Sequence, residues 1–280
     1  MGHPDRGELT MTVRQSIETG NGMDATKIAV LHIPHSSRLI PADERAQLSV
    51  SELELETELL RMTDAFTAEL FPPTLHEAER VVFPVSRLVC DVERFPKDAD
   101  EPMAGRGMGA IYGATSTGSR LRATVSVAER ERVMTRWYWP HHELLTSAID
   151  KVLRREDRCL IIDCHSFADR PLPHEPDQDP QRPEICIGTD SLHTAHGLAG
   201  AVADAAGKLG FTVAVDRPFA GALIPAKHYG ADTRVQSIMI EVNRRVYMNE
   251  LTGDRLVSFE KCREAVGTLV STAATFFLSA

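Results

Sequence analysis

Apolar residues along the chain gather into short unbroken runs and into longer stretches with helical periodicity, and the two kinds alternate. The short runs cover 27–34 (KIAVLHIP), 159–167 (CLIIDCHSF), 185–190 (ICIGTD), 211–216 (FTVAVD) and 237–243 (SIMIEVN). Short runs rich in Val, Ile and Leu read as buried strands. The segment Arg80–Arg94 has the same character and predicts one or two further strands around Pro84. Helical patterns follow Ser51, where Ser51 and Glu54 form a capping box. They recur over 126–157, interrupted at Pro140, over 194–209 and over 258–278. Residues 95–120 and 168–183 carry neither period. Loops this long in a compact domain are usually functional or disordered. Strands alternating with helices predict an α/β fold of three layers, with a mostly parallel, mixed central sheet flanked by helices. Residues 1–26 are polar and aperiodic and are expected to form a flexible leader to a single domain over 27–280.

Composition narrows the partners. The 280 residues are 42% hydrophobic and 25% charged, the make-up of a soluble globular protein. A net charge of -9 argues against nucleic acid or an anionic membrane as partner. No run is long enough to span a bilayer, and the N-terminus lacks the apolar stretch of a secretory signal. Five cysteines without CxxC spacing read as reduced thiols of a cytoplasmic protein. Any metal is therefore expected on His, Asp and Glu. Oligomeric state is not legible.

Three strands end alike. The first runs into His35-Ser36-Ser37, another contains Asp163-Cys164-His165-Ser166, and a third ends in Glu241-Val242-Asn243-Arg244. If these strands are parallel neighbours, their polar ends share one rim, where ligands bind in such sheets. Two histidines, a carboxylate and a further acid are what a catalytic zinc site requires. Each residue also has a plainer reading. His35 alone is more often a hydrogen-bonded loop histidine, and Asp64 is equally a helix cap. Asp163 and His165 face the same side of a strand, as a ligand and its brace or as a structural pair. His32 reads as a structural residue inside the first strand, His141 and His142 as a polar helix face, and His193 and His196 as a surface helix start. The sequence contains no GxSxG, Walker or dinucleotide-binding motif.

The ordered set PHSS (34–37), TDAFTAEL (63–70), SRLVCDVERFP (86–96), WYWPHHELL (137–145), DCHSF (163–167), AKHYG (226–230) and IEVNRRVYM (240–248) resembles the N-formylglutamate amidohydrolase family. The resemblance implies a fold similar to carboxypeptidase A-type zinc hydrolases. It also implies hydrolysis of N-formyl-L-glutamate to formate and glutamate, as in histidine degradation. Carried over residue by residue, it makes His35, Asp64 and His165 the Zn2+ ligands and Glu241 the general base. Asp91 is the alternative carboxylate ligand, and Asp91 and Asp163 otherwise brace the ligands from outside. Arg94, Arg106, Arg244, His228 and Tyr229 are the expected substrate contacts; Glu93 stands where the family commonly has Asn. Other divalent metals suit such a donor set as well. Two alternatives stand beside this reading. One is a zinc amidohydrolase or carboxypeptidase acting on another N-acyl amino acid or peptide. The other is a non-catalytic binding protein on a decayed hydrolase fold.

Overall fold

The computed structural model describes residues 25–72, 75 and 77–280, so most of the expected leader lies outside the described residues. Its six strands are β1 (Ala29–Ile33), β2 (Glu79–Val82), β3 (Cys159–Phe167), β4 (Ile185–Gly188), β5 (Val213–Val215) and β6 (Val235–Asn243). They form one sheet in the order β2-β1-β3-β6-β4-β5. All neighbours are parallel except β6 and β4, which run antiparallel. The helices are α1 (Ala42–Arg45), α2 (Glu52–Met62), α3 (Thr67–Leu70), α4 (Val127–Val133), α5 (Trp139–Glu156), α6 (Leu198–Lys208) and α7 (Phe259–Ser279). No helix among the described residues is long and apolar enough to cross a membrane.

Strand alternation sorts the side chains. Leu31 and Ile33 of β1, Leu160, Ile162 and Cys164 of β3, and Ile238, Ile240 and Val242 of β6 share one core with α3, α6 and α7. The intervening Val30, Cys159, Ile161 and Val235 pack against Leu145, Ile149 and Val152 of α5 on the opposite face. Continuing that second register along each strand gives His32, then Asp163 and His165, then Met239 and Glu241. The period of two therefore delivers these polar side chains to the face that α5 covers only in part.

Two expectations need correction. Of the Val-rich 80–94 stretch, only the residues up to Val82 pair in the sheet, as part of β2. Beyond it the chain turns away at Pro84, and Val85, Val89 and Val92 are buried under α4 and Tyr138 instead. The helix over 126–157 is not broken at Pro140. It continues through a π-helical segment, Met134–Tyr138, and Pro140 lies in the first turn of α5, where its missing N–H is no loss. The loop 95–120 packs a core of its own, with Met108, Tyr112 and Leu121 against Leu55, Leu59 and Met62 of α2. Gly107 caps its short 3-10 helix (Pro102–Arg106) at a φ of 76°, and a Cβ there would strike Ala114.

Candidate metal centre

β1, β3 and β6 are the adjacent, parallel strands, so the three polar ends do meet on one rim. His165 and Glu241 are register partners on β3 and β6. Pro34 lifts the chain off the end of β1 and presents His35. The extended residues after α2 bring Asp64 alongside, fixed by an Asp64 N–H bond to the His35 carbonyl at 3.0 Å. All four side chains are buried.

One ligand atom each from His35, Asp64 and His165 lies within 4.8 Å of the other two. Asp64 Oδ2 stands 3.1 Å from His165 Nδ1 and 3.7 Å from His35 Nδ1. The outer nitrogen of each ring faces a different carboxylate. His35 Nε2 donates to Asp91 Oδ1 at 2.8 Å. His165 Nε2 approaches Asp163 Oδ1 to 3.1 Å without hydrogen-bonding alignment. This is the pattern in which a carboxylate orients a ligating histidine and raises its basicity.

The polar accounting fits a cation. His35 Nδ1 is buried with no hydrogen-bond partner, although it points toward Asp64. Burial works against the charged form of Asp64, yet the two histidines hold its carboxyl well below the usual range. Two ring nitrogens and a carboxylate oxygen, with further space in the cleft beside them, match a catalytic zinc donor set. Asp91 is less suited to ligation. Its oxygens accept from His35, from Arg87 Nη2 at 2.8 Å, from the Tyr112 hydroxyl and from the Glu93 N–H at 3.0 Å. Burial opposes ionisation there too, but Arg87 and His35 keep the carboxyl ionised well below its ordinary value.

Glu241 stands beside this triad with Oε2 buried and unpartnered. Burial pushes its carboxyl up to about 8; His165 pulls the other way and the Asp64 charge adds to the rise. A carboxyl near neutral pKa is poised to take and return a proton.

A cleft of about 260 Å³ opens above these residues, and Arg61, Arg87, Arg94 and Arg244 line it. Arg94 Nε is buried and ion-paired with Asp91 Oδ2 at 3.5 Å, without hydrogen-bonding alignment. Arg244 is tied down, donating to the Arg61 carbonyl at 2.6 Å and to Asp64 Oδ1 at 3.3 Å. His174, also in the wall, has an unpartnered Nδ1, and burial lowers its pKa to about 4.

The other expected contacts sit elsewhere. Arg106 is exposed and donates to the His174 carbonyl, so it fastens one loop to another outside the cleft. His228 is buried against Asp150, at 3.4 Å, where the turn at 226–230 leans on α5. Tyr229 is half exposed, packs its ring on His193 and lines a neighbouring cavity rather than this cleft. His141 is buried rather than solvated, 2.8 Å from His32, whose Nδ1 bonds Asp163 at 2.9 Å. His193 is buried as well, between the Val235 carbonyl and the Gly230 N–H. Missing from the sequence reading are Arg87 and His174. Arg87 lies inside the quoted 86–96 motif, which was its available signal; His174 has none.

A family model described as N-formylglutamate amidohydrolase matches residues 28–248. The fold is similar to a crystal structure of N-formylglutamate amidohydrolase from Ralstonia eutropha JMP134. The TM-score is 0.79 at 22% identity, over 90% of this chain and 94% of that one. It is also similar to the structure of a gene product from Agrobacterium tumefaciens, with a TM-score of 0.63 at 19% identity over 90% of both chains. No curated protein sequence matches the chain.

Proposed function

The chain belongs to the N-formylglutamate amidohydrolase family, and from that premise we propose that it hydrolyses N-formyl-L-glutamate to formate and L-glutamate with a zinc ion. The observation carrying this reading is the convergence of His35, Asp64 and His165 beside Glu241 in an arginine-lined cleft. These three residues would hold the ion. When bound, it supplies Lewis acidity, polarising the formyl carbonyl and lowering the pKa of a water from 15.7 to about 7.

The chain's own residues do the rest. Arg94, which lines the cleft, receives a substrate carboxylate, because a guanidinium fixes such a group through paired hydrogen bonds, and Arg87, already bound to Asp91, adds positive charge beside it. Glu241 Oε2 takes the proton of the attacking water. As the C–N bond breaks, the same oxygen returns that proton to the leaving amine. Asp91 holds the His35 imidazole in orientation from outside, and Asp163 sets a negative charge beside that of His165. Five free, buried cysteines support a reducing, cytoplasmic setting, where the reaction serves histidine degradation.

The test measures formate release and metal content together. Wild-type protein should lose formate release on chelation and regain it with zinc. His35→Ala should lose metal and activity at once. Glu241→Gln should keep its metal while turnover falls about 10²–10⁴-fold. Stoichiometric zinc in the His35→Ala protein would refute the ligand assignment.

A further inference from the structure

The cleft does not end at the metal centre. Glu93, Arg94, Ala220 and Met239 line it and also line a second, larger cavity of about 940 Å³. This chamber lies between the segment 220–227 and one face of α5. Ala222, Leu223 and Ile224 form one wall, and Trp139 faces them from the helix. Phe95 belongs to the same lining and is 58% exposed, a large aromatic side chain left in water beside an apolar space.

The wall is fastened in place. The Leu223 N–H donates to Asp163 Oδ2 at 3.1 Å, and the Leu223 carbonyl accepts from Ser237 Oγ at 3.0 Å. Lys227 Nζ pairs with Asp150 of α5 at 2.5 Å. Gly188 of β4 lets the wall lie flat against the sheet, since a Cβ there would strike the Gly221 carbonyl and Met239.

The two compartments differ in what they attract. The cleft carries four arginines, one of which, Arg94, stands at the boundary shared with the chamber beside the Glu93 carboxylate, itself 4.0 Å from His165 Nε2. An anionic group is drawn to the arginines and repelled at Glu93, and an apolar group gains by passing on into the chamber. An N-acylated acidic amino acid with its carboxylates on the arginines therefore directs its acyl group past Glu93. A formyl group has only hydrogen to send there.

Building on the amidohydrolase reading above, we propose that the chamber is an acyl subsite. The preferred substrates are N-acyl derivatives of glutamate, or of a closely similar acidic amino acid, whose acyl group is an apolar chain or ring. The reaction is the same hydrolysis. Water adds to the acyl carbon, the C–N bond breaks, both water protons end on the amine nitrogen, which leaves as an ammonium, and a fatty or aromatic carboxylate is released.

The test compares N-formyl-, N-acetyl-, N-hexanoyl- and N-octanoyl-L-glutamate on the zinc-loaded protein. Burial of each added methylene should raise kcat/KM about threefold until the chamber fills. Ala222→Trp and Ser147→Trp, from opposite walls, should each lower the octanoyl-to-formyl ratio of kcat/KM at least tenfold. Calorimetry on the Glu241→Gln protein reads the subsite without turnover, and octanoyl-glutamate should bind at least tenfold tighter than formyl-glutamate. Rapid hydrolysis of formyl-glutamate alone, with equal binding of the two ligands, would overturn the acyl subsite and leave the deformylase reading standing. Tight octanoyl binding with no hydrolysis of any member would support the subsite and overturn that reading instead.

Discussion

Asp91 has every oxygen lone pair engaged, and it reaches the candidate metal centre through His35 and, by way of Arg87, Asp64. Its charge fixes which His35 nitrogen carries the proton and so leaves Nδ1 free to ligate. Asp91→Asn keeps the volume and removes the charge. Metal affinity should fall about 10–100-fold, measured by competition with a chromophoric chelator; an unchanged affinity would contradict the bracing role. At this scale the sequence was informative wherever a polar residue stands at the end of a readable strand, as at His165 and Glu241. It was uninformative where the chain direction comes from tertiary packing. Arg106 and His228 carry the right chemistry, but a loop contact and a helix contact turn them elsewhere. Arg87 lies in a stretch that reads as a strand and is in fact a buried turn, so its path to Asp91 was invisible.

Among elements, β3 carries the most. Its whole length is buried, so burial alone does not separate its faces; the alternation does. Ile162 packs on the α7 side while Asp163 and His165 point the other way. Ile162→Ala should cost about 2–5 kcal/mol in denaturant unfolding, as for other large-to-small core changes, and Asp163 immediately follows the cavity so made. A loss below about 1 kcal/mol would mean that the two faces are packed less tightly than this structure has them. The π segment before α5 serves the same rim. Tyr138 donates to the Arg94 carbonyl at 2.8 Å and His142 Nε2 bonds the Val92 carbonyl at 3.0 Å, which fixes the backbone on either side of Glu93. From the sequence Pro140 reads as an interruption, whereas the chain reaches it in a helix already under way, just past the widened turn.

Across the whole molecule, the candidate ligands come from just past the end of β1, the residue after the α2 cap and the C-terminal end of β3. An ion held by all three would cross-link these segments beyond the hydrogen bonds that already join them. With free zinc at 100 times its dissociation constant, the linkage contributes about 2.7 kcal/mol. Chelation should then lower the thermal midpoint by roughly 5–10 °C, readable by calorimetry at fixed protein concentration; an unmoved midpoint would count against a metal site built from distant segments. The class of fold was legible because strand and helix patterns alternate along the chain. Neighbour order was not, since apolar runs carry no record of which strand lies beside which. The antiparallel β4 and the central place of β6 emerge only from the three-dimensional pairing.

That central place has a consequence for how the protein is made. β6 is the last strand to be synthesised, yet it sits between β3 and β4. A growing chain that has emerged only as far as β5 holds two unjoined pieces of sheet, with β4 and β5 waiting for a partner. His35, Asp64 and His165 already exist in that chain, while Glu241 arrives only with the strand that joins the pieces. The nascent protein thus holds the candidate metal ligands before the candidate base is made. Completion of the candidate site and closure of the sheet come in a single late step, one that rests on long-range pairing and is for that reason slow.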